Sequence, residues 1–475
     1  MMRQRNVVIV GAGLVGALWA RLLAQQGHRV TVLERRSDLR RTAIPGGRSI
    51  NLAVSDRGWR ALRLARLDEQ VRPFALPMEG RMIHEPSGST RFQPYGKPGQ
   101  AIYSFHRRRL NELLLTAVEE YPNARILFEH RCVDVELETP AVLVETPTGE
   151  RQRLEAEVVF GVDGAYSAVR LRMQHLEGFN YCQEYLDYGY KELTIPPRSD
   201  GAWALFPRAL HIWPRHSFML IALPNPDGSF TCTLFFPLEG ELSFAALRTE
   251  EDVRHFFRSE FPDTVPLMPK LTEEFFVNPT GSLLTIRCFP WSYDGKVLLL
   301  GDAAHAIVPF YGQGMNAGFE DCVVLLEFLR QYDPDWSTAF RAFERFRKPS
   351  ADAIAQLALE NFVEMRDGVL HPRFQLRKKL EQYLADRYPD RFVPLYTMVT
   401  FTHMPYAEAL RRGRLQERIL EILLERTESE SDWQAPSFQQ MMEKLVEELP
   451  PCDPALLAGA VPERILEHPF GTGSG

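Results

Sequence analysis

The start of the chain alternates apolar and polar segments in an order that predicts a strand, a helix and a second strand. Asn6 to Val10 is a short apolar run typical of a buried strand, and Leu14 to Gln25 carries apolar residues at helical spacing. His28 to Glu34 reads as the second strand and ends in an acidic residue. This order predicts a parallel sheet covered by helices.

Further elements of the same kind follow along the chain. Leu110 to Glu120 has helical periodicity, and Arg125 to Glu129 has the pattern of a strand. Ala141 to Glu145 and Arg153 to Phe160 predict a hairpin, and Lys296 to Leu300 predicts another buried strand. We expect these segments to extend the first sheet or to pack beside it.

The pattern changes in the middle of the chain and again toward its end. From Tyr188 to Pro237, short aromatic and β-branched runs alternate with turn residues, which predicts an antiparallel sheet in a second domain. Gly314 to Tyr332 and Trp336 to Val369 predict long helices, the second of which Pro349 should break or kink. Leu376 to Leu449 is predicted to be mostly helical and amphipathic.

Composition narrows the class of protein. The 475 residues are 45% hydrophobic and 25% charged, with a net charge of −7 and basic residues interleaved with acidic ones, so we expect no nucleic-acid partner. The six cysteines stand singly, which argues against a metal site or a disulfide framework and suits a reducing cytoplasm. No signal peptide and no apolar run of about 18 residues is found, so we expect no membrane anchor.

A glycine-rich segment, GAGLVG, joins the first predicted strand to its helix. Gly11 permits the tight turn, Gly13 lets a phosphate approach the backbone, and Gly16 lets the helix pack on the strand. The helix N-terminus offers free N–H groups to a pyrophosphate. Glu34 ends the second strand, where a carboxylate accepts hydrogen bonds from ribose hydroxyls and repels a 2′-phosphate. The segment therefore predicts a site for FAD or NAD rather than NADP.

A second and a third segment carry glycines in similar positions. In GDAAH, Asp302 follows a strand and can bind a hydroxyl of a ribityl or ribose chain, although capping of the next turn is an equally good interpretation. In PFYGQGMNAGFEDC, the backbone N–H groups of Gly312, Gly314 and Asn316 are expected to face the pyrimidine end of an isoalloxazine ring.

The segment GVDGAYSAVR lies between GAGLVG and GDAAH in the sequence. Asp163 and Gly164 are predicted at a strand end, Ser167 caps the next turn, and Arg170 projects from the first turn of a helix. Alone, this segment is equally compatible with a structural turn. Together, GAGLVG, GVDGAYSAVR and GDAAH, in this order along the chain, predict the walls of one flavin site.

This trio resembles the flavin-dependent aromatic hydroxylases, the family of para-hydroxybenzoate hydroxylase. The resemblance covers nearly the whole chain and rests on GRSINLAVSD followed by RGW, EGRMIH, QPYG, GAYSAVR, YGYKELTIPP, LHIWPR, IALPN, SFTCTLF, LLGDAAHAIVPFYGQGMNAGFEDC, ENFVEMR and FVPLYTMVTF. GRSINLA, LHIWPR and PLYTMVTF are similar to the branch that acts on L-kynurenine. The resemblance implies an α/β fold with a Rossmann-like FAD-binding domain, an inserted antiparallel β-sheet substrate domain and a C-terminal helical region. The implied domains comprise residues 1–75, 98–178 and 286–375 for FAD, 76–97 and 179–285 for substrate, and 376–475 for the helical region.

The same resemblance implies an activity and its small-molecule partners. It implies one non-covalently held FAD, NADPH as co-substrate, and hydroxylation of L-kynurenine by dioxygen to 3-hydroxy-L-kynurenine through a flavin hydroperoxide. The flavin supplies this chemistry, so no catalytic side chain is obligatory. A flavin hydroxylase of another aromatic acid, or a flavin-binding protein without turnover, remains an alternative. Monomer and homodimer are both left open.

Site residues follow from the resemblance at matching positions. Arg81 and Tyr95 are the implied carboxylate clamp, for which arginine's donor fork is suited, although Arg81 on a solvated strand face and Tyr95 filling a loop are alternatives. Phe235 and Phe310 would flank the arene or else belong to the core. Asn361, Glu364 and Met365 share one helix face. The implied substrate-binding residues are Arg81, Tyr95, Phe235, Phe310, Asn361, Glu364, Met365 and Tyr396.

Cofactor contacts are implied in the same way. They are Gly11, Gly13, Val15, Gly16, Glu34, Arg35, Ala53, Arg107, Cys132, Asp163, Gly164, Asp302, Gly314, Met315 and Asn316. Cys132 would act through its backbone. Arg107 is chosen from its distance to Leu110 and Asn111, but Arg108 and Arg109 remain alternatives for the FAD phosphates.

Overall fold

The computed structural model describes residues 3–41, 51–367 and 372–457. Its strands are β1 Asn6–Val10, β2 Arg29–Glu34, β3 Asn51–Val54, β4 Leu76–Met78, β5 Gly80–His84, β6 Thr90–Pro94, β7 Ile102–His106, β8 Ala124–Phe128, β9 Arg131–Glu136, β10 Ala141–Glu145, β11 Arg151–Glu155, β12 Val158–Gly161, β13 Asn180–Ile195, β14 Ala209–Arg215, β15 Phe218–Pro224, β16 Phe230–Pro237, β17 Gly281–Phe289, β18 Ser292–Tyr293 and β19 Val297–Leu299. Its α-helices are α1 Leu14–Gln25, α2 Asp56–Leu64, α3 Asp68–Val71, α4 Arg107–Glu119, α5 Ala168–Met173, α6 Glu250–Glu260, α7 Leu271–Val277, α8 Asp302–His305, α9 Gly314–Tyr332, α10 Trp336–Asp367, α11 Pro372–Arg387, α12 Leu395–Thr400, α13 Tyr406–Leu424, α14 Pro436–Glu447 and α15 Pro454–Leu457.

A six-stranded sheet with the order β18-β19-β12-β1-β2-β8 forms the centre of the chain's first core. Its strands are parallel except for β18, which pairs antiparallel with β19. Val7, Ile9 and Leu298 are fully buried because helices cover the sheet. The predicted mixed α/β character is confirmed, and the first strand and helix have the predicted bounds.

A second sheet contains seven strands in the order β17-β13-β16-β15-β14-β5-β6. The strands β13 to β16 pair antiparallel, as predicted for Tyr188 to Pro237. β5 joins this sheet from an earlier part of the chain and pairs parallel with β14. In that pairing Arg81 lies opposite Leu210. The sheet therefore brings distant segments of the sequence side by side.

One prediction of local structure is wrong, and a second is wrong in part. The run Arg153 to Phe160 is not one strand, because β11 pairs with β10 in a separate three-stranded sheet while β12 pairs with β1. The break expected at Pro349 is also absent, since α10 runs through this residue, while the kink named as its alternative stays a prediction. A proline removes one hydrogen bond from a helix interior, and burial of Phe343 and Ile354 on either side offsets that loss.

The C-terminal segment packs around a core of its own. Leu380, Leu384, Leu420 and Trp433 are among its buried residues. Within the described ranges, no helix combines the length and the apolar character needed to cross a lipid bilayer. The domain boundaries stay a prediction. Residues 42–50, which include part of the GRSINLA segment, and residues 458–475 of the implied helical domain lie outside the described residues.

Two histidines and an aspartate form a hydrogen-bonded chain on β5, β14 and the segment after α6. Nε2 of His211 lies 2.8 Å from the carbonyl oxygen of Phe206 and must donate to it, so Nδ1 of His211 accepts from Nε2 of His84 at 2.8 Å. Nδ1 of His84 lies 3.2 Å from Oδ2 of Asp263. Burial lowers the pKa of His211 to about 4, since its imidazolium form would lose both water and the hydrogen bond from His84.

We predict that His211 makes the fold sensitive to acid. Its folded pKa lies below the unfolded value of about 6.5, so between those values the unfolded chain binds more protons and the free energy of unfolding falls as pH falls. The full effect is at most about 3.5 kcal/mol, because the pKa falls by about 2.5 units and each unit corresponds to about 1.4 kcal/mol. Chemical denaturation of wild type and His211→Asn at several values between pH 7 and pH 4 measures it. The variant should show a shallower decline, and equal slopes would contradict the assignment.

Candidate active site

The three glycine-centred segments lie side by side because their strands are neighbours. β19, β12, β1 and β2 are adjacent and parallel, so their carboxyl ends share one edge of the sheet. The GDAAH, GVDGAYSAVR and GAGLVG segments follow the first three strands, and Glu34 ends the fourth. A cavity of about 750 Å³ opens along this edge. Open parallel sheets hold ligands at this position.

The glycine turn after β1 leaves the start of α1 open to the cavity. Gly11 has φ of +105°, and a Cβ there would lie 2.5 Å from the carbonyl oxygen of Val162. Gly13 is the N-cap of α1, makes no side-chain cap, and has no atom within 4 Å of where a Cβ would stand. The first N–H groups of the helix therefore remain available to an anion. Glu34 is buried beside this turn and accepts a hydrogen bond from Ala12 N at 3.1 Å.

The segment after β12 presents an acceptor without a partner. Oδ2 of Asp163 accepts from Ala168 N at 2.7 Å, whereas its buried Oδ1 has no hydrogen-bond partner in the described structure. Ser167 caps α5 by accepting from Arg170 N at 3.0 Å, as predicted. The Arg170 side chain turns away to donate to the Ala303 carbonyl at 2.8 Å. Asp163 is thus the polar group of this segment that a cofactor hydroxyl would satisfy.

Most predicted cofactor contacts line this one cavity. They are Gly11, Gly13, Val15, Glu34, Arg35, Ala53, Arg107, Cys132, Asp163, Gly164, Asp302, Gly314 and Met315. Asp302 is exposed and begins α8 behind the N-cap Gly301, so it does not serve as the cap itself. Open helix N–H groups, an unpaired acceptor and exposed arginines form a donor and acceptor set that fits FAD.

Two predicted contacts lie outside the cavity lining. Gly16 packs on the glycine turn, where a Cβ would lie 2.0 Å from the Gly11 carbonyl oxygen. Asn316 is fully buried and uses its side chain to join neighbouring segments. It donates to the carbonyls of Ala53 and Gly312, each at 2.8 Å, and accepts from Ser55 N at 2.9 Å. Both residues therefore support the backbone segments that line the cavity without lining it themselves.

The three consecutive arginines at the start of α4 have different surroundings. Arg107 lines the cavity and has no hydrogen bond or ion pair among the described residues. Arg108 donates to Glu112 at 2.8 Å, and Arg109 lies over the ring of Phe74. Only Arg107 of the three lines the cavity.

Cys132 also borders the cofactor end of the cavity. Its thiol lies 3.6 Å from the carbonyl of Asp134, and burial raises the pKa of Cys132 to about 12. The thiol therefore stays neutral and offers no charge to a ligand.

Apolar side chains from the seven-stranded sheet close the other end of the cavity. Phe235 and Phe310 lie with ring centroids 4.8 Å apart, and Met365 lines the same wall. Further apolar lining residues are Leu210, Met219, Ile221, Leu223 and Ile307. Chambers of this kind, apolar with few polar groups, bind small organic ligands.

A single buried cation stands at one end of the apolar chamber. Arg81 is 7% exposed, its buried Nε has no hydrogen-bond partner, and no described carboxylate forms an ion pair with it. Its guanidinium carbon lies 5.3 Å from the ring centroid of Tyr396 and 5.7 Å from that of Tyr95. These two rings stack with centroids 4.9 Å apart, and the Tyr95 hydroxyl is buried without a partner. The strand that carries Arg81 is therefore not solvated, and Tyr95 belongs to the cavity wall.

The two remaining predicted substrate contacts stand behind this wall. Asn361 donates to the carbonyl of Phe310 at 2.7 Å and so supports the loop that carries that ring. Glu364 is half-buried, 3.9 Å from Lys378. Burial works to raise the pKa of Glu364, but Lys378 and Arg81 hold that pKa below its ordinary value. Neither residue is part of the cavity lining.

Sequence reasoning missed several residues of the cavity. Tyr311 lines it and stacks on Tyr396 with ring centroids 5.6 Å apart. Arg36, His130 and Arg131 border the end near Glu34. The glycines around Tyr311 in PFYGQG drew attention to the backbone, and no pattern in the sequence marks a tyrosine beside them as a cavity residue. The other three follow strand ends, which a topology-based search would have included.

A buried network of charges joins the elements around the cavity. Arg347 donates to Glu320 at 2.6 Å and to Asp321 at 2.8 Å. Arg57 pairs with Glu320 and donates to the carbonyl of Val399 at 2.9 Å. Buried ion pairs therefore link helices α2, α9 and α10, and the hydrogen bond from Arg57 to the Val399 carbonyl adds the end of α12.

Comparison with known proteins supports this description. The sequence profile of the FAD binding domain family matches residues 4–332. A protein of Flavobacterium psychrophilum named kynurenine 3-monooxygenase is 48% identical over 448 residues, which cover 94% of this chain and 99% of that protein. A protein of the same name from Myxococcus xanthus is 50% identical over 425 residues, which cover 89% and 91% of the two chains.

Solved structures of similar fold are more distant in sequence. A tetrameric form of 2-methyl-3-hydroxypyridine-5-carboxylic acid oxygenase has a TM-score of 0.64 at 20% identity, covering 78% of this chain and 95% of that one. The p-nitrophenol 4-monooxygenase of Pseudomonas putida DLL-E4 has a TM-score of 0.62 at 18% identity, covering 88% and 99%. At these identities the likeness concerns the fold alone.

The arrangement of the three arginines predicts which one contributes to FAD affinity. Arg107→Ala removes the cation that lines the cavity and should weaken FAD by about 1.5–3 kcal/mol, as for a charge-assisted hydrogen bond. Fluorescence titration of the apoprotein with FAD measures this. Arg108→Ala and Arg109→Ala are matched controls, and a larger loss in either of them would refute the choice of Arg107.

Proposed function

The chain belongs to the kynurenine 3-monooxygenase family of FAD-binding proteins, and we propose that it hydroxylates L-kynurenine to 3-hydroxy-L-kynurenine with NADPH and dioxygen. FAD is the cofactor, and NADPH is proposed as its reductant. When bound and reduced, FAD supplies the activated oxygen for the reaction. The seven-stranded sheet with β5 and β6 is proposed as the substrate domain, inserted into the FAD-binding domain and followed by a helical one.

The buried guanidinium of Arg81, which has no ion-pair partner among the described residues, is the observation that carries this proposal. Burying a charge without an ion-pair partner costs roughly several kcal/mol of folding free energy, and a ligand of opposite charge offsets this cost when it binds. The α-carboxylate of an amino acid provides that charge and matches the donor fork of arginine. Beyond Arg81 the chamber is apolar, as a benzoyl ring requires. A ligand with a carboxylate at one end and an arene at the other satisfies both ends.

The side chains then act by binding, orienting and excluding water. Arg81, Tyr95 and Tyr396 would hold the carboxylate, while Phe235 and Phe310 would fix the plane of the ring. Because the arylamine of kynurenine already activates its ring, no protein base has to remove a proton before oxygen is transferred. No obligatory catalytic side chain is proposed for that reason. The protein would contribute by holding the substrate in position and by excluding water from the cavity.

Turnover with defined substrates tests the proposed activity. The purified protein with FAD should oxidise NADPH slowly alone and faster with L-kynurenine, and mass spectrometry should find a product heavier by one oxygen atom. Comparable turnover of an aromatic acid without an amino-acid side chain would favour a different hydroxylase. Flavin binding without accelerated NADPH oxidation by any compound of the panel would identify a protein without turnover.

Removal of Arg81 should separate substrate binding from cofactor binding. We predict that Arg81→Ala retains FAD but loses about 1.5–3 kcal/mol of affinity for L-kynurenine, because a charge-assisted hydrogen bond is lost. Arg81→Lys keeps the positive charge but lacks the two-pronged donor geometry of arginine, so its affinity for L-kynurenine should lie between those of wild type and Arg81→Ala. Calorimetric titration of the FAD-loaded proteins measures the affinities. Arg208→Ala, at an exposed ion pair with Glu79, is the control, and equal losses in both alanine variants would exclude Arg81 from the clamp.

A further inference from the structure

Tyr311 extends the aromatic wall around Arg81 by a third phenol. It ends the 3-10 turn Pro309–Tyr311, directly after Phe310 and before the left-handed Gly312. Its ring lies almost parallel to that of Tyr396, at an interplanar angle of 19°. Since Tyr396 also stacks on Tyr95, the three rings form one ladder beside the guanidinium.

The hydroxyl of Tyr311 makes no hydrogen bond with any described residue. The residue is 9% exposed and lines the cavity. A phenylalanine would fill the same space in the stack, as Phe362 does against Phe310 at 4.0 Å. The hydroxyl is open to the cavity, so a ligand that displaces water from it has to supply a hydrogen-bond partner.

The surroundings of this hydroxyl make it a hydrogen-bond donor. Burial raises the pKa of Tyr311 well above its ordinary value, and Tyr396 and Glu364 raise it further, so the phenol stays protonated. Arg81 Nε and the Tyr95 hydroxyl are buried donors without a partner, and the Tyr311 hydroxyl adds a third donor on the same wall. Convergent donors around a buried cation select an anion with several lone pairs.

We propose that the Tyr311 hydroxyl donates a hydrogen bond to the α-carboxylate of the amino-acid substrate, beside Arg81. This inference rests on the proposed hydroxylation of L-kynurenine. It makes Tyr311 a determinant of specificity, because this hydrogen bond increases the affinity only of ligands that carry the carboxylate. The aromatic end of the ligand contributes nothing to this contact.

A cycle of two ligands and two proteins tests the inference. Calorimetry on FAD-loaded protein measures the Kd of L-kynurenine and of its decarboxylated amine analogue. Tyr311→Phe should raise the Kd of L-kynurenine about tenfold, within the range for one hydrogen bond to a charged group. The Kd of the analogue should change less than about twofold, because the ring stack is kept. Tyr190→Phe removes a phenol outside the cavity lining and is the matched control.

Each outcome of the cycle decides the matter. Equal weakening of both ligands, or of neither, overturns the role of Tyr311 while leaving the proposed hydroxylation intact. If the wild-type protein neither binds L-kynurenine nor turns it over, both the proposed function and this inference are wrong. Should Tyr311→Phe lose FAD, Tyr311→Met, which also lacks a donor, replaces it in the same cycle.

Discussion

The pairing of two buried arginines with two buried carboxylates is the interaction on which the shape of the cavity depends. Taking ions out of water is costly, and only complete pairing with good geometry recovers that cost. Burial works to raise the pKa of both Glu320 and Asp321, yet their basic partners hold each below its ordinary value, so both stay ionised. Loss of one partner would leave an uncompensated charge at a cost of roughly 3–5 kcal/mol. Since Arg57 and Arg347 reach these carboxylates from different helices, the network permits one arrangement of those helices.

Against this background the state of Arg81 distinguishes a binding group from a structural one. Arg57 and Arg347 are as deeply buried, and the structure satisfies both with carboxylates and backbone carbonyls. Arg81 lies beside two aromatic faces, and no described carboxylate approaches it within ion-pair distance. Cation–π contacts contribute about 0.5–2 kcal/mol, which does not replace the hydration of a guanidinium. The proposed binding role of Arg81 therefore rests on its lack of an internal counter-ion, which Arg57 and Arg347 both have.

The sequence predicted the cofactor end of the cavity better than the substrate end, for a physical reason. Strand ends in a parallel sheet meet at one edge, so Gly11, Asp163 and Asp302 could be placed together from periodicity and glycine spacing alone. The substrate chamber depends on the parallel pairing of β5 with β14, which no local pattern encodes. Arg81 and Tyr95 were found through a family resemblance, whereas Tyr311 carries no signal in an aromatic-rich sequence. The continuity of α10 through its proline was likewise decided by tertiary packing.

The buried network also sets the distance between the two ends of the cavity. Helix α9 begins at Gly314, which lines the cofactor end, and carries Glu320 farther along. Glu320 binds Arg57, which donates to the Val399 carbonyl in α12, the helix that carries Tyr396. A covalent helix and a dry ion pair thus connect the two ends, and neither stretches appreciably. An amino acid anchored at the carboxylate end can then place its ring only within a fixed reach of the cofactor. In the proposed reaction, this reach would select the ring carbon that is hydroxylated, and no acid–base group would be needed for that choice.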